Sequence, residues 1–582
     1  MRSANLPITS KFALISGAVA ICAIEDDKFA WQQRLKRWLR LSRTRHYLQL
    51  ARLTHSSNPR VRNEAVASLL TLTSISDYVR CFLAQCCSSA SLVSLARSRD
   101  PRIPLAVKPL KQPQSEESLE LQLNSLLLDL LETTEDVCAE FFTELGLHRI
   151  SVPATDEQEL LWHDRKDSFD PTMFRGTVSR NRLLLLLEAL GEQSTIPDQL
   201  RRLHERRVLV LLRKLWNTYA KDLKIRLLIL KVLANLSTLA GIQDCFVRLG
   251  WLKDILNCAV SEQLELSLLG MKILANLDSE SDKFEDGIYL LHPQQWTKED
   301  DTKLDVVFVH GLRGGAFRTW RQKDTRVRLG LGRPLESTLV RQARAAMPQR
   351  TPCWPRDWLA KDVSGLRIIA VDYASFLTHW GTICPDVAHR TSIEYRSEEL
   401  ERKLKACGLG KRPIIWVTHS MGGLIVKQLL CNVWERNKKH PTGPDNMLDR
   451  TAGIVFYSTP HLGSPVASHY VDTKTYRYLL MPSSEVWQLK DGSPFLKNLN
   501  DQFLQMLKGR DINCLCFGES EPTDYGMGVV LIPCPDYTAD LGTCPYFRLR
   551  SQHLYVCKPE TRYSASYLLF VDFLRDRLKT LP

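Results

Sequence analysis

The sequence predicts a two-part chain: an all-α region of armadillo/HEAT-like helical repeats, then an α/β domain whose mostly parallel sheet carries helices on both faces. Three observations lead there. At 582 residues the chain exceeds one ordinary hydrophobic core, which sets a prior of two to four domains. The segment KVLANL (Lys231 to Leu236) returns as KILANL (Lys272 to Leu277) at an offset of 41 residues, a period typical of stacked helical units. After Lys303 short apolar runs rich in Val, Ile and Phe alternate with helical stretches, the pattern of strands buried on both faces.

The first 30 residues are expected to be a hydrophobic targeting or anchor segment. FALISGAVAICAI (Phe12 to Ile24) is apolar over 13 residues, with Arg2 and Lys11 before it and Glu25, Asp26 and Asp27 after it. A spanning helix needs roughly 20, so a signal-peptide core, a short anchor and a buried first helix all remain open. WQQRLKRWLRLSRTRHYLQLARL (Trp31 to Leu53) has six arginines and lysines between Arg34 and Arg45 and no acid. A basic amphipathic helix of this kind suits an anionic membrane surface, and equally a solvated face packing on the next repeat.

Residues 31–285 form the repeat region. Each KxLANL copy ends a leucine-rich amphipathic helix (IRLLILKVLANL, LELSLLGMKILANL). NPRVRNEAVASLLTLT (Asn58 to Thr73) and RNRLLLLLEALGEQ (Arg180 to Gln193) read as further units. One helical pair cannot bury its own apolar face, whereas stacked neighbours can. Proline and polar residues near 101–118 and 151–171 mark loops, and the charged stretch from Ser279 to Lys303 links the helical half to the α/β half.

Residues 303–582 form the α/β domain. The expected strands are LDVVFVHG (304–311), LRIIAVDY (366–373), PIIWVTHS (413–420), GIVFYSTP (453–460), INCLCFGE (512–519) and GVVLIP (528–533). In THSMGG, Ser420 lies between a strand and a helix, flanked by Gly422 and Gly423, as a nucleophile elbow requires. The first position of the G-x-S-x-G pattern is Thr418 rather than glycine. Met421 N–H then points where an oxyanion would form. VVFVHGLRGG (Val306 to Gly315) ends an early strand with His310-Gly311. An α/β-hydrolase takes its second oxyanion donor from this loop, here the N–H of Leu312, with His310 shaping the loop. His553 in SQHLYVCKP lies late in the chain, in the Ser–acid–His order of that fold. His461 in TPHLGS comes before any plausible acid. Glu519, at the end of INCLCFGE, is the first candidate acid and Asp540 the alternate. Such residues support acyl transfer from Ser420 to water or an alcohol. The stretch between Pro465 and Arg510, which includes YRYLLMPSSEVWQL, reads as a lid or acyl-chain wall, or as helical packing behind the sheet.

The composition is globular, with 44% hydrophobic and 25% charged residues, and excludes disorder over most of the chain. The net charge of +13 favours acidic partners. No basic groove studded with aromatics and no zinc-finger spacing points to nucleic acid, so an anionic membrane surface is the expected partner. The 16 cysteines are scattered; neither CLC nor CC has zinc spacing, and no metal or cofactor is called for.

HGLRGGAFRTW, THSMGGL and YSTPHLGSP resemble the lipase-like branch of the α/β-hydrolases that includes GPI-inositol deacylases. More narrowly, TWRQ, CWPRDWLAKD, HSMGGLIVKQLL, FGESEPT, ADLG and HLYVCKP resemble the family of serine active site-containing proteins. That likeness spans roughly Tyr289 to Leu574, and ILANLD followed by LLHPQ extends it more loosely upstream. In this family Ser420 matches the lipase-motif serine, and Glu519 falls in the F-x-E-x-x-P-T segment. The family carries a longer N-terminal hydrophobic segment than the one here. The resemblance implies membrane association at contacts between mitochondria and endoplasmic reticulum. It also implies phosphatidylglycerol remodelling, with effects on cardiolipin composition and cholesterol trafficking. The phospholipid is then the substrate of an acyl hydrolase or transacylase. The alternative is a non-catalytic scaffold that stabilises a mitochondrial membrane partner through the helical repeats; a protein or thioester deacylase is a third option.

Overall fold

The computed structural model describes residues 42–72, 77–98, 118–148, 178–278, 281–295, 302–323, 350–375, 384, 390–439, 446–473, 482–524 and 530–580. The hydrophobic segment within residues 1–30, most of the basic stretch and the loops near 101–118 and 151–171 lie outside them, apart from Ser118 at a helix start. Among the described residues no helix is long and apolar enough to cross a membrane.

From Ser42 to Leu277 the described chain is helical throughout. Polar side chains start the helices by accepting otherwise orphaned backbone N–H groups. Asn58 accepts from Arg60, Ser88 from Ser91, Ser118 from Leu121, Asp136 from Ala139, and Asp222 from Lys224 and Ile225. The two KxLANL segments close the helices Leu223–Leu236 and Leu264–Leu277, which pack side by side. Their buried asparagines reach between units. Asn235 Nδ2 donates to Ser194 Oγ at 2.9 Å, and Asn276 Nδ2 donates to the Ala234 carbonyl at 3.3 Å. A buried amide would be costly unpaired; here its position in the motif makes it a tie to the preceding helices.

The main sheet is built from β1 (Ile288–His292), β2 (Leu304–Val309), β3 (Leu366–Val371), β4 (Ile414–His419), β5 (Thr451–Tyr457), β6 (Asn513–Glu519) and β9 (Tyr546–Leu549). These seven strands lie in the order β1-β3-β2-β4-β5-β6-β9. All neighbours are parallel except β1, which runs antiparallel to β3. Strands β2 to β5 are buried at every position, which is why they read as mostly apolar runs; the buried charges within them, Asp305 and Arg367, pair with each other at 2.7 Å.

Two expectations need correction. GVVLIP supplies no strand of the main sheet: Val530–Leu531 (β8) pairs only with Thr523–Asp524 (β7) in a small hairpin. The last strand of the sheet is YFRL, an edge strand whose Phe547 and Arg548 face solvent. The α/β domain also begins before residue 303, because β1 lies within the charged stretch assigned as a linker.

That stretch is a tight junction. Asn276 Oδ1 accepts from Phe284 N at 2.7 Å while its Nδ2 donates to the Phe284 carbonyl at 2.9 Å. Buried Lys272 donates to the Glu285 carbonyl at 2.6 Å and lies 4.9 Å from the centre of the Tyr289 ring in β1. Arg97 pairs with Asp278. One apolar core runs from Leu274 and Leu277 through Tyr289 and Leu291 into the sheet.

On one face of the sheet, Phe308 meets Trp320, Trp354 and Phe570 edge-on at 4.9, 5.4 and 6.3 Å. On the other, the helix Pro494–Leu507 buries Leu496, Leu499, Phe503 and Met506, and it packs against the helix Met421–Lys439. The Pro465–Arg510 stretch therefore packs behind the sheet over this part, while residues 474–481 lie outside the described chain.

Candidate active site

Strand β4 ends at His419, and the helix Met421–Lys439 starts two residues on. Ser420 bridges them with φ +52°, a left-handed conformation that non-glycine residues seldom adopt. Its N–H donates to the Tyr457 carbonyl at 2.9 Å, and its carbonyl accepts from Gly423 N at 3.0 Å. Such a turn needs room. A Cβ on Gly422 would stand 2.3 Å from the His310 carbonyl oxygen. Thr418 fits because its hydroxyl is satisfied in place, donating to the Val455 carbonyl at 3.1 Å.

Ser420 Oγ lies 3.0 Å from His553 Nε2, and His553 Nδ1 lies 2.6 Å from Glu519 Oε2. The three side chains form one hydrogen-bonded line from hydroxyl through imidazole to carboxylate. Glu519 is only 1% exposed, and its second oxygen accepts from Cys534 N at 2.9 Å. Both carboxylate oxygens are thus committed. Asp540, the alternate acid, is exposed and accepts from Gly542 N at 2.8 Å. It contacts no part of this line: its side chain faces solvent, whereas β6 ends at Glu519, whose carboxylate meets His553.

His553 opens a short 3-10 turn. Trp354 steadies the same loop by donating Nε1–H to the Cys557 carbonyl at 3.1 Å. The tryptophans of TWRQ and CWPRDW thus serve the packing beneath the site.

The His310–Ala316 loop lies against the serine. A Cβ on Gly311 would come within 2.6 Å of Ser420 Cβ and 2.8 Å of the His419 carbonyl oxygen. Arg313 takes φ +55° and donates N–H to Ser375 Oγ at 2.9 Å. His310 is fully buried and stacks on Tyr373 at 4.1 Å. Its Nε2 accepts from Tyr373 N at 3.2 Å, which assigns the proton to Nδ1, 2.8 Å from the Gly311 carbonyl. Both ring nitrogens hold the loop, and neither is free to act as a base. The N–H groups of Leu312 and Met421, the expected oxyanion donors, find no acceptor among the described residues. Met421 opens its helix, where N–H groups lack intrahelical partners and the helix dipole favours negative charge.

His461 stands apart from this line. Its Nδ1 lies 3.2 Å from Nζ of buried Lys427, which donates to Asn500 Oδ1 at 2.6 Å. Sequence reasoning missed two contacts to His553. His419 Nε2 lies 3.0 Å from the His553 carbonyl oxygen, and Thr523 Oγ1 accepts from His553 N at 3.3 Å. The adjacency of His419 to Ser420 was the available signal for the first; nothing marked the second.

No family model matches the chain. It is 35% identical to Protein SERAC1 of Bos taurus over 91% of this chain and 78% of that protein. The figures for Protein SERAC1 of Homo sapiens are the same. Among solved structures, a Bacillus licheniformis lipase aligns with 46% of this chain and 92% of its own at 15% identity and a TM-score of 0.28. Phospholipase PlaB from Legionella pneumophila aligns with 38% of this chain and 40% of its own at 14% identity and a TM-score of 0.24.

Proposed function

We propose, from the premise that the chain belongs to the SERAC1 family of serine hydrolase-like α/β-hydrolases, that it is a serine-dependent acyl hydrolase or transacylase acting on a glycerophospholipid. The observation that carries the reading is the buried line Ser420–His553–Glu519 at 3.0 and 2.6 Å. In this reading His553 Nε2 takes the Ser420 proton as Oγ attacks an ester carbonyl. Glu519 holds the imidazole with its proton on Nδ1 and stabilises the imidazolium. Leu312 and Met421 N–H receive the oxyanion, and each such donor is worth on the order of 100-fold in rate. The tetrahedral intermediate collapses to an acyl-Ser420 and an alcohol, which takes its proton from His553. Water or a second lipid alcohol then removes the acyl group by the same steps in reverse.

Phosphatidylglycerol remodelling is the reaction we assign. The place we propose is a membrane surface at contacts between mitochondria and endoplasmic reticulum, with anionic headgroups as the partner of a chain of net charge +13. The armadillo/HEAT character of the helical region and its docking of a membrane protein belong to the same proposal. The repeated KxLANL helices and their asparagine ties support the repeat character.

The test is a fluorophosphonate probe on wild type and Ser420→Ala, followed by phospholipid analysis of cells carrying Ser420→Ala. Labelling that requires Ser420, with altered phosphatidylglycerol species, is the expected result. A Ser420→Ala chain that restores cells lacking the protein sinks the enzyme and leaves the scaffold. Labelling without any lipid change points to a protein or thioester substrate.

A further inference from the structure

We infer that His419 is a positioning residue, clamping the backbone of His553 so that the imidazole meets Ser420 and Glu519 together. His419 is the last residue of β4, immediately before Ser420, and is 4% exposed. Consecutive residues therefore hold two different parts of His553: His419 Nε2 the carbonyl oxygen at 3.0 Å, Ser420 Oγ the ring Nε2 at 3.0 Å. With Thr523 on the N–H and Glu519 on Nδ1, His553 is held at four points. Among the described residues, only the contact from His419 ties the base to the strand that carries the serine through a side chain other than the serine itself. The spacing between the two reacting groups is then set by β4 and does not depend on the loop from Arg550 to Pro559 alone.

A carbonyl can only accept, so His419 must carry its proton on Nε2. Its Nδ1 has no partner among the described residues, which leaves nothing to stabilise the other tautomer. The rings of His419 and His553 lie 5.1 Å apart at 45°. Burial, then the nearby His553, holds the His419 imidazole well below its ordinary pKa despite the bond to the His553 carbonyl; Lys558 and His310 add to the depression. His419 thus stays neutral while His553 cycles.

The inference rests on the reading of Ser420 as nucleophile and His553 as base, and the test keeps the two separate. The variants are His419→Phe, which keeps the bulk and removes the donor, and His419→Gln, which restores an N–H at nearly the same reach. Fluorophosphonate labelling is followed across pH, with circular dichroism checking the fold. Displacing a catalytic group by a fraction of an ångström costs about 10-fold to 100-fold, so His419→Phe should label that much more slowly. The midpoint of its pH profile should move down as the Glu519 contact slackens. His419→Gln should recover most of the rate and the midpoint. A merely structural role would lower the reactive fraction and leave the midpoint in place. The low-field proton resonance of His553 Nδ1–H against Glu519 is a second readout that needs no turnover. It should be present in wild type, lost in His419→Phe and restored in His419→Gln. A folded His419→Phe chain with unchanged midpoint and resonance overturns the inference, as does His419→Gln failing as far as His419→Phe. Absence of labelling in wild type counts against acyl transfer, and the resonance then decides the clamp.

Discussion

Replacing Glu519 by glutamine should all but abolish reactivity, because the site decides which way the new amide must face. One carboxylate oxygen of Glu519 accepts from Cys534 N at 2.9 Å and the other from His553 Nδ1 at 2.6 Å. In Glu519→Gln the amide oxygen must meet the Cys534 N–H, since an NH₂ there would face another donor. The NH₂ is then aimed at His553 Nδ1, which can only accept it by giving up its proton. The proton moves to Nε2 and points at Ser420 Oγ, 3.0 Å away. An imidazole in that tautomer cannot take the serine proton. In triads of this kind the wrong tautomer costs about 10,000-fold, or about 5.4 kcal/mol of transition-state stabilisation. The assay is the second-order rate of fluorophosphonate labelling, confirmed on a chromogenic short-chain ester, with thermal unfolding as the control for fold. Asp540→Asn, whose parent is exposed and whose carboxylate accepts from Gly542 N, should stay near the wild-type rate. A folded Glu519→Gln chain within ten-fold of wild type would refute the tautomer argument. A loss in Asp540→Asn as deep as in Glu519→Gln would refute the choice of acid.

Gly311→Ala puts a Cβ 2.6 Å from Ser420 Cβ, so labelling should fall about 100-fold or more, as for a group moved by an ångström; normal labelling would show that the loop yields freely. Arg396 and Glu485 form a buried ion pair at 2.8 Å, with Arg396 also over the Tyr373 ring that stacks on His310. Removing one partner, as in Arg396→Met, should cost about 3–5 kcal/mol in denaturant unfolding, and Arg396→Met with Glu485→Leu should recover most of it. Burial pushes the Lys427 ammonium from its ordinary range down to about 7. The unfolded chain therefore binds more protons than the folded one between about pH 7 and 10, and stability rises with pH across that window by at most about 1.4 kcal/mol per unit. Lys427→Met should flatten that rise; an identical slope in both chains would place the ammonium in a better-solvated setting than its burial indicates.

What could be read from the sequence followed burial on both sides. β2 to β5 have solvent on neither face, so their runs of Val, Ile and Phe pointed to buried strands. β9 has an open edge, and YFRL alternates with arginine in a way that no apolar run reveals. β1 was hidden because Ser281 to Asp286 and Thr302 to Lys303 surround a five-residue strand with polar chain, and only its pairing to β3 makes it part of the sheet. Ser420 and His553 were legible as candidates because the elbow and the chain order constrain them, and the fold sets them 3.0 Å apart. The choice between Glu519 and Asp540 was not, since it turns on where β6 ends in space. His419 and Thr523 act on His553 across 134 and 30 residues of chain, and no local pattern encodes such distances.

The junction at Asn276 and Phe284 bears on how this protein can be divided. A fragment starting at 303 would lack β1 and leave β3 with an unpaired edge of buried residues, a template for pairing with another chain. Starting at 281 keeps β1 but strips the helix Leu264–Leu277 from it, uncovering Tyr289 and Leu291. Neither cut leaves a self-sufficient core. The helical half and the hydrolase half should therefore melt together as one cooperative unit, and a lesion among the N-terminal helices would reach Ser420 as lost folded protein, with the chemistry of the surviving molecules intact.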